Sequence, residues 1–245
     1  MFDHKLSGPS LAFQPLYLQV ADYIKQLIVE RRWVPGEALP SEFRLAEEFN
    51  VSQGTVRKAL NLLTDDKIVT RRQGVGTFVS EHTAQDALFR FFPLQADAKG
   101  ADLPKAELLS VELCPAPHDV IDALQLNKKD KVTKLVRRRI LDNEFCMSET
   151  IYLPQSYFPD IHQSSDIPHT LYHYYQTKFN QTVHKTQDSI KAVLADETDA
   201  KMLAIKTGDP LLLVSRITES IEGKRIEYRQ SKCRSDHYHY QIELD

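Results

Sequence analysis

Residues 39–63 read LPSEFRLAEEFNVSQGTVRKALNLL, and the spacing of their apolar and capping residues predicts two short helices joined by a tight turn. Pro40-Ser41 opens the first helix, with Ser41 as N-cap and Leu45, Ala46 and Phe49 as its buried side. Asn50 tolerates the left-handed conformation that stops a helix. Ser52 is a second N-cap, and Val56, Ala59, Leu60 and Leu63 mark the inner face of the helix it starts. Two helices joined by about three or four residues form a helix-turn-helix. The outer face of the second helix carries Gln53, Gly54, Thr55, Arg57, Lys58 and Asn61. Amide, hydroxyl and cationic groups around a helix N-terminus suit the edges and phosphates of a major groove.

Upstream, Pro15 precedes Leu16, Val20, Tyr23, Ile24, Leu27 and Ile28 at helical spacing, and Pro35-Gly36 ends that helix. Downstream, Ile68-Val69-Thr70-Arg71-Arg72 and Thr77-Phe78-Val79 flank Gln73-Gly74-Val75-Gly76, a β-hairpin with a glycine tip. Arg71 and Arg72 make this hairpin a basic wing, with Gln73, Gly74, Gly76 and Thr77 at its tip. A small domain whose polar face meets only water would explain a charged helix face. It does not explain the ordered set of helix, helix-turn-helix and basic hairpin.

The 245 residues are enough for two domains. A net charge of -3 argues against a nucleic-acid binder until the charge is divided along the chain. Residues 1–80 hold ten Lys/Arg against nine Asp/Glu, a net +1, and the remainder holds twenty-one against twenty-five, a net -4. Any DNA contact belongs with the first group. There is no run of about 18 apolar residues and no basic-then-apolar leader. Cys114, Cys146 and Cys233 are widely spaced. These features place the chain in the cytoplasm, off the membrane.

Pro15-Leu16-Tyr17, Leu39-Pro40-Ser41-Glu42, Thr55-Val56-Arg57-Lys58-Ala59-Leu60 and Gln73-Gly74-Val75-Gly76-Thr77-Phe78-Val79 closely resemble the DNA-binding domain of the GntR family. The resemblance implies a homodimeric transcription regulator, a repressor released by its effector, on a near-palindromic operator. Many relatives place arginines just after Pro-Ser-Glu and just after Val-Ser to read guanine. Here Phe43 and Gln53 stand there, and Arg44, one residue on, turns by about 100° towards a phosphate. Gln53 pairs best with adenine.

Beyond a linker expected over 81–104, which contains the apolar Leu88, Phe89, Phe91, Phe92 and Leu94, the chain repeats itself. Residues 122–149 and 201–228 each read as a short helix, a turn and a hairpin; Leu124 matches Leu203, Asp130 matches Asp209, and Arg137 matches Arg216. Packing two such copies into one antiparallel sheet forms a core, with further strands near 106–113, 183–193 and 237–242. Arg137 and Arg139 alternate on one strand and face one side, which is costly unless an anion or carboxylate such as Glu149 answers them. An internally paired ion network is the other reading of the same residues.

The order and spacing of this half resemble the UTRA effector domain of HutC-type regulators, whose fold is related to chorismate lyase. The expected class is therefore α+β: a winged helix-turn-helix over 10–80, then an antiparallel-sheet effector and dimerisation domain over 105–245. The resemblance implies that Arg137, Arg139, Glu149 and Tyr228 hold the effector. Phe91 and Phe92 stand near it and favour a more apolar acid over a phosphosugar. An enzyme of chorismate-lyase type has the fold resemblance and the paired Arg/Glu behind it, but no base with an activating partner and no nucleophile motif. His237 and His239 alternate on an expected strand, yet lack further ligands at metal-binding spacing. No cofactor, metal or catalytic residue is expected.

Overall fold

The computed structural model describes residues 14–81, 92–97, 104–164 and 166–242. The chain divides into two compact units, Met1–Glu81 and His82–Asp245.

In the first unit, α1 (Leu16–Val29), α2 (Glu42–Phe49) and α3 (Gln53–Asp65) precede a hairpin of β1 (Val69–Arg72) and β2 (Gly76–Val79). Pro15, at φ -51°, sets the entry to α1. Ser41 Oγ accepts from the Arg44 amide at 3.3 Å, and Ser52 Oγ accepts from the Thr55 amide at 3.1 Å. Asn50, at φ 52°, closes α2 in the left-handed conformation. Each helix buries its apolar stripe: Val20, Ile24 and Leu27 from α1, Leu45 and Phe49 from α2, Val56, Leu60 and Leu63 from α3. Val69 pairs with Val79 and Arg72 with Gly76, and the turn between needs positive φ at Gly74 and Gly76 (71° and 145°).

The second unit is built on a six-stranded antiparallel sheet. Its strands are β4 (Lys105–Pro115), β5 (Lys131–Leu141), β6 (Glu144–Pro154), β7 (Val183–Leu194), β8 (Pro210–Ser220) and β9 (Arg225–Arg234), in spatial order β4-β5-β6-β9-β8-β7. The internal repeat is real and longer than the sequence suggested, because each copy also includes an edge strand. One copy is β4, α4 (His118–Leu124), β5 and β6; the other is β7, α6 (Glu197–Leu203), β8 and β9. Their local geometry coincides. Gln125 and Ala204 end the helices at φ 55° and 54°. Asp130 Oδ2 accepts from the Asn127 amide, and Asp209 Oδ2 from the Lys206 amide, both at 2.8 Å. The copies join through the central β6–β9 pairing.

One sheet face packs against α4 and α6, through Val120, Leu124 and Leu203. The other face is covered in two pieces. At one end, α5 (Leu171–Phe179) buries Tyr172 and Tyr175 against Leu135, Ile151 and Leu153. At the other end, a separate two-stranded sheet of β3 (Leu94–Ala96) and β10 (Tyr238–Tyr240) sets Leu94 and Tyr238 against Met147, Val214 and Cys233. β3 lies inside the segment expected to be linker. Its docking answers the apolar Phe92 and Leu94, while Leu88, Phe89 and Phe91 lie outside the described residues. Strand 238–240 was expected near 237–242 but pairs with β3 and not with the main sheet.

Candidate DNA-contacting surface and effector site

Two capped helices and a hairpin bring the basic residues of the first unit onto exposed positions. Gln53, Gly54, Arg57 and Lys58 are exposed on α3, Arg44 on α2, and Arg71, Arg72, Gln73, Gly74 and Gly76 on the wing; Thr55 and Thr77 are half-buried. Ser52 is engaged as a cap, its hydroxyl also within 2.8 Å of Thr55 Oγ1. Glu42, which sequence reading passed over, organises this face. Its Oε2 accepts from Arg57 Nε at 2.9 Å and its Oε1 lies 3.2 Å from Arg71 Nη2, so one carboxylate ties α2 to both α3 and the wing. Arg72 lies over the Phe78 ring, 4.3 Å from its centroid, which holds the guanidinium against the hairpin. Nothing inside the fold requires Gly54 to be glycine, since an added Cβ would meet only Ser52 Oγ, at 3.7 Å. A glycine in a helix costs up to about 1 kcal/mol against alanine, so its use here fits close approach from outside.

In the second unit the alternation of β5, β6, β8 and β9 sets a charged band between the two apolar pieces that cover the sheet. Arg137 and Glu149 are register partners, and Arg137 Nε donates to Glu149 Oε2 at 2.5 Å. Arg229 donates to Glu149 Oε1 at 3.0 Å and to Glu227 Oε2 at 2.8 Å. Glu227 also accepts from the Tyr175 hydroxyl at 2.6 Å. Arg216 donates to both oxygens of Asp188, at 2.6 and 2.7 Å, and Tyr240 donates its hydroxyl to the same carboxylate. Arg139 differs from the other three. Its Nη1 donates to the His169 carbonyl at 2.8 Å and its guanidinium lies 4.8 Å from the Phe92 ring centroid. Its buried Nε has no hydrogen-bond partner, and among the described residues no carboxylate is hydrogen-bonded or ion-paired to it, although Glu149 lies near enough to feel its charge.

Among the described residues the band holds four guanidiniums (Arg137, Arg139, Arg216, Arg229) against three carboxylates (Glu149, Glu227, Asp188), all of them buried or nearly so, one positive charge in excess. Burial works against the charged form of Glu149, but Arg137, Arg229 and Arg139 outweigh it and hold the carboxyl well below its usual range. Glu227 is lowered against the same burial penalty, chiefly by Arg229. Burial, reinforced by the like charge of Arg137, pushes Arg139 down to about 10.

A small open cleft lies over β6, β9 and β8. Phe92, Glu149, Arg216, Arg229, Ser231 and Tyr240 line it. Of the residues expected to form the effector site, the structure brings together Phe92, Arg137, Arg139 and Glu149; Phe91 is outside the described residues. Tyr228 is not with them. Strand alternation turns it to the opposite face, where its ring stacks with Tyr152 at 6.4 Å beside α4. Glu227 and Arg229, its neighbours on either side, face the band in its place. Arg216 could have been found from the repeat, which aligns it with Arg137. Arg229 could not, because its register depends on the shift at Thr218/Glu219. Of the two histidines weighed for metal, His239 Nδ1 is 2.8 Å from Asp97, within hydrogen-bond distance, and His237 is exposed, 3.8 Å from Asp236. Among the described residues no cluster of three metal-ligating side chains occurs.

Residues 16–79 match the family described as bacterial regulatory proteins, gntR family, and residues 100–239 match the UTRA domain. The chain is 27% identical to the mannosyl-D-glycerate transport/metabolism system repressor MngR of Escherichia coli, over 95% of this chain and 97% of that one. It is 25% identical to the transcriptional repressor NagR of Bacillus subtilis, over 94% and 95%. Among solved structures, the ligand-binding domain of a GntR-family regulator from Bordetella bronchiseptica superposes with a TM-score of 0.58 at 25% identity, covering 64% of this chain and 98% of that one. With a capped helix-turn-helix and basic wing in one unit and a charged, clefted sheet in the other, the chain belongs to the GntR family of ligand-responsive, DNA-binding transcription regulators that carry a UTRA domain.

Proposed function

We propose that the protein is a cytoplasmic repressor that binds a near-palindromic operator as a homodimer and leaves it when a small organic anion occupies the charged band of the sheet. In this reading Arg44, Arg57, Lys58, Arg71 and Arg72 meet phosphates or groove walls. Gln53 meets a base edge, with adenine as its best partner. The observation that carries the effector half is Arg139: a buried guanidinium with an unbonded Nε and, among the described residues, no carboxylate bonded to it, in a band with one positive charge to spare. An anion would supply the missing charge and acceptor. Phe92, against which the Arg139 guanidinium lies, also lines the neighbouring cleft with Pro93, Met147 and Val214, so the anion carries an apolar part as well. The relative named for a mannosyl-D-glycerate system, which concerns a carboxylate, supports this class.

The site binds its effector without converting it. Glu149 and Glu227 are held ionised by arginines, which makes them weak bases. The two DNA-binding units of the dimer must stand about 34 Å apart, or a multiple, to enter successive grooves. An effector that favours another spacing releases the operator by differential affinity. The test screens carboxylates and phosphate esters for thermal stabilisation of the full-length chain, then measures each hit against an operator selected from random DNA. The reading expects a hit that weakens operator binding and is recovered unchanged. Recovery of a converted product would overturn it.

A further inference from the structure

β3 and β10 pair with each other and not with the main sheet. Among the described residues, no backbone hydrogen bond ties this ribbon to the six strands beneath it. Side chains hold it down. Leu94 and Tyr238 pack on Cys146, Met147, Val214 and Cys233. Phe92 lies against the Arg139 guanidinium, and Tyr240 donates its hydroxyl to Asp188 on β7. Residues 235–237 connect β9 to β10. A ribbon with no ladder to its support lifts without unpairing a backbone amide, so its opening is cheaper than unfolding of the sheet.

The ribbon also roofs the cleft. Phe92 and Tyr240 line it from the ribbon, and Glu149, Arg216 and Arg229 from the sheet. The cleft is small, so an organic anion with an apolar part enters it only as the ribbon yields. β3 starts thirteen residues after Glu81, the end of the first unit, and lies in the stretch that joins the units. A displaced ribbon therefore displaces the point from which the chain leads to the DNA-binding unit. We propose that the ribbon is a hinged roof, that Tyr240 latches it shut through Asp188, and that the operator-bound state requires it shut. Tyr240 is then a positioning residue, and the C-terminal strand is part of the path from effector to DNA. The inference rests on the operator and effector readings above, in which a filled cleft releases the operator, and adds the part that moves.

Two thiols beneath the ribbon report its opening. Cys146 and Cys233 are buried under Leu94 and Tyr238, whereas Cys114 is half-buried beside α4 on the opposite face. The full-length chain is treated with N-ethylmaleimide, with and without an operator selected from random DNA, and mass spectrometry follows each cysteine. A hydrogen bond to a charged group shifts an equilibrium by about tenfold or more. Tyr240→Phe, which keeps the ring, should therefore label Cys146 and Cys233 about tenfold faster than wild type, and Cys114 at the same rate. Bound operator selects the shut ribbon and should slow both buried thiols of wild type by at least about fivefold. A hydroxyl that only stabilises the fold would speed labelling in Tyr240→Phe and leave the operator without effect. Equal rates in wild type and Tyr240→Phe overturn the latch, and rates unchanged by bound operator overturn the coupling. Failure to select any DNA sequence strikes the DNA-binding reading itself, and the inference falls with it.

Discussion

Replacing Arg139 with methionine should leave the second unit as stable as wild type or more so, whereas the same change at Arg229 should cripple it. The two guanidiniums share a sheet face and are nearly equally buried, but their company differs. A guanidinium held at about 10 instead of its ordinary 12.5 is penalised as a cation by about 3 kcal/mol. Arg139→Met removes that penalty and loses one bond to the His169 carbonyl and one ring contact. A charge-assisted hydrogen bond is worth about 1.5–3 kcal/mol, so the balance lies between about zero and 2 kcal/mol in favour of methionine. Arg229→Met leaves Glu149 with only Arg137 and Glu227 with only hydroxyls. Breaking buried pairs in this way costs about 3–5 kcal/mol. Urea unfolding of the full-length variants measures both. Far-ultraviolet circular dichroism follows the sheet, and Trp33, the one tryptophan of the chain, is buried in the first unit and serves as an internal control. If Arg139→Met destabilises the sheet as much as Arg229→Met, Arg139 is an ordinary structural ion and the argument for an absent anion falls.

Arg57→Ala and Arg72→Ala should each weaken binding to operator and random DNA alike and lower the salt slope by about one; unchanged slopes in anisotropy titrations would place both side chains away from phosphate. Gly54→Ala should raise the stability of the first unit by about 0.5–1 kcal/mol in Trp33-monitored unfolding and lower DNA affinity, since the added methyl meets space inside the protein but a surface outside it. Glu149 and Glu227 have folded values below their ordinary 4.5. Their stabilisation is complete above that pH and is lost progressively as the pH falls below it. An acid titration should therefore unfold the sheet, and Glu149→Gln should flatten that acid limb while lowering stability at neutral pH.

The first unit was almost fully legible because its signals are local. Ser41, Asn50 and Ser52 cap within a few residues, and Gly74 and Gly76 set the turn themselves. The repeat was legible too, since Asp130 and Asp209 make the same short-range bond in each copy. Its edge strands β4 and β7 were visible only as separate strands, because the copies share little sequence there. The charged band was half legible. Alternation alone put Arg137, Arg139 and Glu149 on one face. One partner of Arg229 lies 80 residues away on β6, and the other, Glu227, two residues back on β9. Tyr228 was expected in the band from the resemblance alone, and strand alternation turns it to the opposite face, beside Tyr152, while Glu227 and Arg229 face the band.

The most direct test of the account couples the two units in one titration. Operator binding by the full-length chain is measured with and without each carboxylate or phosphate ester that stabilises the protein thermally, for wild type and for Arg139→Met. Coupling between such sites is commonly about 5–150-fold in affinity. The account predicts that at least one anion weakens wild-type binding by such a factor, while Arg139→Met binds the operator normally and ignores the anion. Equal release of both proteins by the same anion would contradict it.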